Sequence, residues 1–155
     1  MRKLLILFTV IMLPLFAVRG AAQDKGNALT QKGYVGNVGL SITPCMGLGA
    51  DVTTAHGYSF GNGLWMGGGV AICFFSDIDG TWMPVYTGVK YTFMKDEKIS
   101  PFLDCRLGCM TNLDDTFLMF NPGFGVDIDR FSIFGSAGLW GDIKVFNIGF
   151  YFNFL

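Results

Sequence analysis

From Tyr34 onward, hydrophobic and polar residues alternate with a period of two in runs of ten to thirteen residues, separated by turn-forming clusters. Eight β-strands follow from this pattern. The first, Tyr34 to Thr43, sets Tyr34, Val38, Leu40 and Ile42 against Asn37, Gly39, Ser41 and Thr43. The second, Leu48 to Phe60, sets Val52, Tyr58 and Phe60 against Gly49, Asp51 and Ser59. The third, Leu64 to Phe75, and the fourth, Trp82 to Phe93, alternate in the same way, with Trp65 on the face of the smaller residues. Ile99 to Met110, Phe117 to Ile128, Phe131 to Trp140 and Lys144 to Phe154 complete the set. Turn chemistry lies between them, as in Gly61-Asn62-Gly63, Asp79-Gly80, Asp129-Arg130 and Gly141-Asp142. Pro122, inside the sixth run, predicts a bulge or an irregular end, because proline cannot donate to a strand ladder.

The distribution of charge identifies the two faces. Within the strands Asp51, Lys90, Asp104, Arg106 and Asp127 share the face that carries Gly, Ser and Asn, and the opposite face is predicted to have none. A Lys or Arg on a lipid-facing strand costs roughly 2–4 kcal/mol at mid-membrane, so a bilayer would impose this segregation. A soluble lipocalin-like barrel would show the inverse, with an apolar inside and a charged outside. Strands in lipid must pair every backbone group, so the sheet is predicted to close as an all-β, eight-stranded antiparallel up-and-down transmembrane barrel. An even strand number puts both chain ends on one side. A barrel of this size is filled by side chains rather than by a wide channel, and the five charged residues are predicted to form a salt-bridged plug.

Composition then becomes intelligible. The chain has 155 residues, of which 51% are hydrophobic and 15% charged, with 22 glycines, and it shows no long amphipathic helix. Arg2 and Lys3, the apolar run Leu4 to Val18 and the small residues Gly20-Ala21-Ala22 form a secretory signal peptide, predicted to span 1–22. The run is shorter than the roughly 20 residues of a spanning helix. Arg2, Lys3 and Arg19 are three of the eleven basic residues, so the remaining 133 residues carry eight basic against twelve acidic side chains. That balance of −4 argues against nucleic acid as a partner. The predicted organisation is a signal peptide at 1–22, a short N-terminal segment at 23–33 and a barrel at 34–155.

Candidate chemistry is sparse. His56, the single histidine, shares the apolar face with Tyr58 and Phe60, which suits an amphipathic ring at a membrane interface. A catalytic triad would need Ser59 or Ser41 and Asp51 to converge on it, and both Ser59 and Asp51 have the opposite parity. Glu97, the single glutamate, lies in a turn. Cys105 and Cys109 lie four residues apart in one strand, roughly 13 Å at the usual rise, too far for a disulfide. Cys73 has the other parity and Cys45 falls in a loop, so the four are read as free small hydrophobes. No Gly-Lys dipeptide exists to make a phosphate-binding P-loop. The expectation is no catalytic residue, no metal and no cofactor. Tyr34, Tyr58, Phe60, Tyr91 and Phe93 are predicted to be interfacial aromatics.

Three stretches carry a resemblance. His56-Gly57-Tyr58-Ser59-Phe60 leading into Leu64-Trp65-Met66-Gly67-Gly68-Gly69-Val70-Ala71, the block Pro84-Val85-Tyr86 through Lys98-Ile99-Ser100-Pro101-Phe102, and the last strand resemble small outer-membrane β-barrel proteins of Bacteroides-type bacteria. These fall in the broad class typified by OmpA and OmpX. In the last strand Asn147, Gly149, Phe152 and Phe154 look like the C-terminal assembly signal that such proteins present to the barrel-insertion machinery, with Leu155 as an added final residue. The resemblance implies a Gram-negative outer-membrane location with both termini periplasmic, and outer-membrane lipid and the insertion machinery as partners of a monomer. It implies location and fold far more than activity, and the short loops near Pro44 to Gly47, Ser76 to Thr81, Thr111 to Thr116 and Gly141 to Ile143 lean towards a structural or interaction role. An envelope enzyme acting on lipid, a narrow ion or small-solute pore and a soluble periplasmic binder are the alternatives.

Overall fold

The computed structural model describes residues 31–44, 48–76, 80–94, 97–112 and 114–154. The signal peptide, most of the N-terminal segment, Cys45, the Asp79 half of its turn and Leu155 lie outside these residues. Eight strands run in sequence order: β1 (Lys32–Thr43), β2 (Gly49–Phe60), β3 (Leu64–Phe75), β4 (Thr81–Thr92), β5 (Ile99–Thr111), β6 (Thr116–Ile128), β7 (Phe131–Trp140) and β8 (Ile143–Phe154). Each pairs antiparallel with its neighbours, and β1 pairs with β8 from Gly36↔Phe154 to Ile42↔Ile148, which closes the barrel. The closed sheet has no edge strand, so most of its backbone donors and acceptors are used within the ladders, with local lapses beside two prolines. The first strand begins at Lys32, two residues before Tyr34, because Lys32 and Gly33 pair with Phe60 and Ser59. The barrel therefore takes in the last two residues assigned from sequence to the N-terminal segment.

Both described chain ends and the turns 61–63, 93–98 and 129–130 lie at one end of the barrel, called here the terminal end. The connections near 44–48, 76–80, 112–115 and 141–142 lie at the other, the turn end. Left-handed backbone occurs at described residues of several of these turns. Gly61, Gly63, Gly80 and Gly141 have φ between 61° and 109°, and Asp129 has φ 56°, a conformation that Asp tolerates better than most side chains.

Parity sorts inside from outside as the alternation predicts. Leu40, Val52, Val70, Val89, Leu107, Phe124, Ile133 and Ile148 are exposed on the outer face, one from each strand. Ser41, Thr53, Asn121, Asp127, Ser132 and Asn147 are buried within. One expectation is corrected here. The outer face is not free of charge, since Lys144 is exposed on it at the start of β8, as is Lys32 at the start of β1. Both stand at strand ends, where a long side chain can reach past an apolar belt into water.

Pro122 is accommodated without a bulge. The β6–β7 ladder runs Met119↔Trp140 and Phe120↔Leu139, lapses over Asn121 and Pro122, and resumes at Gly123↔Ser136 in the same register. No residue is inserted, and β6 keeps its continuous pairing with β5 through Cys105↔Pro122. Pro84 in β4 is handled alike. It pairs with Met110 of β5, while the β3–β4 ladder lapses between Val70↔Val85 and Cys73↔Trp82. Each proline sits where one side of its strand has given up its bonds, which is what a missing N–H requires.

Candidate functional site: the barrel interior

The interior is assembled from small and large residues that fit one another. Gly57 and Gly67 face each other across β2 and β3, and the Trp65 indole lies over both. A Cβ at Gly57 would stand 2.7 Å from Trp65 Cε2, and one at Gly67 2.6 Å from Trp65 Cζ2. Tyr86 covers Gly69, Tyr151 covers Gly39, Phe134 covers Gly149 and Phe102 covers Gly125 in the same fashion. Alternating small and large inward residues fills a narrow barrel without voids. Gly67→Val is accordingly expected to press on the His56 carbonyl of β2, the atom nearest a Cβ at that position, and to displace the Trp65 ring, whose Nε1 donates to the Val35 carbonyl at 3.3 Å. The barrel should lose about 1–3 kcal/mol of stability through overpacking, read by denaturant unfolding together with a changed near-ultraviolet circular dichroism signal.

Towards the terminal end the interior is polar. Asp127 is fully buried, and Lys90 Nζ donates to its Oδ1 at 2.6 Å, with Ser132 Oγ donating to the same oxygen at 2.5 Å. Thr92 Oγ1 donates to its Oδ2 at 3.0 Å. Asn153 Nδ2 donates to Ser132 Oγ at 2.8 Å, and the Lys90 ammonium lies 3.8 Å from the centre of the Phe102 ring. This cluster joins β4, β5, β6, β7 and β8.

At mid-barrel Arg106 crosses the lumen. Its Nε and Nη2 donate to Asp104 Oδ2 at 3.0 and 2.7 Å, and the guanidinium lies over the rings of Phe134, Tyr151 and Tyr86 at 5.0, 5.3 and 5.6 Å. On either side of this layer is a cavity of about 30 Å³, one bordered by Asp104 and Tyr151 and the other by Asn121 and Trp140. Each is large enough for water. Four of the five buried side-chain polar atoms that lack a protein partner among the described residues belong to these borders, Asp104 Oδ1 and Tyr151 Oη in one and Asn121 Oδ1 and Trp140 Nε1 in the other; the fifth, Trp82 Nε1, lies nearer the turn end.

The five interior charges predicted from parity thus all point inwards, and four of them form two separate ion pairs, Lys90 with Asp127 and Arg106 with Asp104. Asp51 is a correction to the salt-bridged plug. It pairs with no cation among the described residues and accepts a short hydrogen bond from Ser41 Oγ. The aromatic half of the plug, Trp65, Tyr86, Phe102, Phe134 and Tyr151, was not foreseen as a unit. Its signal was the inward parity of rings that look across at glycines.

The remaining candidates are dispersed. Tyr34, Tyr58, Phe60, Tyr91 and Phe93 are all exposed on the outer face near the terminal end, where Tyr58 meets Phe60 and Tyr91 meets Phe93 edge-on. His56 joins that belt. Its Nδ1 shares a short hydrogen bond with Tyr34 Oη, its Nε2 lies 3.1 Å from Thr54 Oγ1, and Phe154 packs against its ring. Ser59 and Asp51 are inside the barrel while His56 is outside, so the triad residues are not brought together. In β8, Asn147 and Gly149 face inwards, with Asn147 bonded to Thr43 and Ser136, while Phe152 and Phe154 lie on the outer parity. Cys73 is buried inside, and Cys105 and Cys109 lie on the outer face, all as free thiols. Among the described residues no group of three His, Cys, Asp or Glu side chains is gathered to hold a metal ion.

No protein-family model matches this chain, and no curated protein matches it. A solved structure does. It is described as "De novo design of transmembrane beta-barrels" and superimposes with a TM-score of 0.52 at 14% identity, covering 84% of this chain and 98% of that one. The likeness is one of fold: an eight-stranded antiparallel barrel that closes on itself.

Proposed function

We propose that the chain is an outer-membrane β-barrel of a Gram-negative, Bacteroides-type envelope, in the class typified by OmpA and OmpX, with both termini on the periplasmic side. Its role is structural or interactive rather than catalytic. The observation that carries this reading is the outer face. Exposed apolar side chains surround the barrel on all eight strands, and the charges on that face are confined to Lys32 and Lys144 at strand ends. In water such a surface would be an aggregation liability far beyond a normal patch, whereas lipid is its natural solvent. The aromatic belt at the terminal end suits the level of the headgroups.

The filled interior supports a structural role over a general pore. Arg106 and its three rings occupy the lumen between the two small cavities. His56 finds hydroxyl partners on both nitrogens and no carboxylate among them, which supports a role in belt packing rather than in lipid hydrolysis. Asn147, Gly149, Phe152 and Phe154 keep their place as the proposed assembly signal, presented by the strand that closes the barrel.

Fractionation tests the reading. The protein is expected in the outer-membrane fraction, resistant to salt and carbonate extraction, with a gel mobility that changes on boiling as the barrel unfolds. Recovery in the soluble periplasm with one mobility before and after boiling would overturn it.

A further inference from the structure

At the turn end the inward positions of β3 to β7 are apolar. Phe75, Trp82, Met110, Phe117 and Trp140, from five successive strands, line a cavity of about 230 Å³ together with Asp115. Trp82, Met110 and Trp140 are buried. Phe117 stacks on Trp82 with ring centres 5.6 Å apart, and Phe75 meets Trp140 edge-on at 5.9 Å. This bowl continues the inward core cluster of Trp82, Met110 and Trp140 but, unlike the Arg106 layer below it, holds no cation. It is larger than the roughly 150 Å³ cavity that accepts benzene in an engineered apolar site.

Charge narrows what it would hold. Asp115 is exposed and forms no ion pair among the described residues, and neither Lys nor Arg lines the cavity. Asp114 and Asp142 are exposed on the adjoining turns. Indole and phenyl faces are electron-rich and attract a cation placed over them. The lining offers one side-chain carboxylate as acceptor, while its indole donors Trp82 Nε1 and Trp140 Nε1 already lack a protein partner among the described residues. A primary ammonium would therefore add N–H groups that only Asp115 could accept, whereas a quaternary ammonium has none to satisfy.

We propose that the turn-end cavity is a binding site for a quaternary ammonium group carried on an apolar body of about benzyl size, the charge resting on the aromatic faces beside Asp115. The site depends on barrel closure and not on the membrane assignment, so it stands or falls separately from the fractionation result.

The test uses the folded protein in uncharged maltoside micelles, with tryptophan fluorescence as the readout, since Trp82 and Trp140 both line the cavity. Benzyltrimethylammonium is expected to give a saturable change. Neutral benzyl alcohol should bind about tenfold more weakly, and benzenesulfonate should give no saturable change, in keeping with the strength of cation–π and carboxylate contacts. Asp115→Asn should weaken benzyltrimethylammonium about fivefold while the heat-dependent gel shift persists. Quenching that rises linearly without saturation, equal affinity for benzyl alcohol, or unchanged affinity in Asp115→Asn would each overturn the proposal.

Discussion

Asp127→Ala is expected to destabilise the folded barrel by about 3–5 kcal/mol, the usual cost of leaving one partner of a buried ion pair uncompensated. The arrangement explains why the loss should be at the high end. Asp127 is fully buried and accepts from Lys90, Ser132 and Thr92 at once, so its removal strands an ammonium and two hydroxyl donors. The Phe102 face beneath Lys90 can compensate only in part, since a cation–π contact contributes about 0.5–2 kcal/mol. Equilibrium unfolding in urea, followed by tryptophan fluorescence in lipid vesicles, measures the difference. Lys90→Met combined with Asp127→Ala should recover much of the loss, because a buried pair replaced by apolar groups is often close to neutral. A single-variant loss below about 1 kcal/mol, the scale of an exposed ion pair, would mean that Lys90 is not dependent on Asp127 for its burial.

The second large effect concerns the outer face. Leu107→Arg, near the middle of β5, should cost about 2–4 kcal/mol when the barrel is unfolded from lipid vesicles, and Ile99→Arg, at the terminal end of the same strand, only about 0–1 kcal/mol. Both side chains are more than half exposed, at 52% and 59%, so packing alone cannot distinguish them. In a water-soluble barrel both substitutions would stay within about 0.5 kcal/mol, as exposed positions normally do. A depth-dependent difference therefore reports lipid around β5, and equal small effects would count against it.

How far the fold could be read from the sequence follows from the physics of strands. A period of two is a local property, and it placed every strand: β3 and β7 begin and end where the alternation predicts, and the others differ by one or two residues at an end. The same parity put Asp51, Lys90, Asp104, Arg106 and Asp127 inside. Which of them would pair was not legible. Lys90 and Asp127 are 37 residues apart and meet because β4 and β6 flank β5 and both side chains turn into the lumen at one level, a relation set by the stagger of the barrel. Asp51 was left to Ser41 for the same reason. The prolines show the opposite limit. Pro122 signalled an irregularity correctly, but a lapse in pairing without a bulge depends on what β7 can forgo, and β7 is not encoded in β6. The rings of Phe102 and Phe134 required one further step, the matching of inward aromatics to inward glycines on neighbouring strands.

The seam between β1 and β8 bears on time rather than on stability. Thr43 and Asn147 bond across it although 104 residues separate them, and the pairs from Gly36↔Phe154 to Ile42↔Ile148 join the first strand to the last. The other seven strand pairings join consecutive segments through short turns and can form as hairpins, so this one carries the greatest loop-closure entropy and belongs late in assembly. Until it forms, β1 and whichever strand is last in the growing sheet are open edges, each ready to accept a strand from another chain. The hazardous species is the open eight-stranded sheet with seven pairings made and the seam unformed. Its lifetime, more than the depth of the final energy well, decides how much of this chain reaches the closed state.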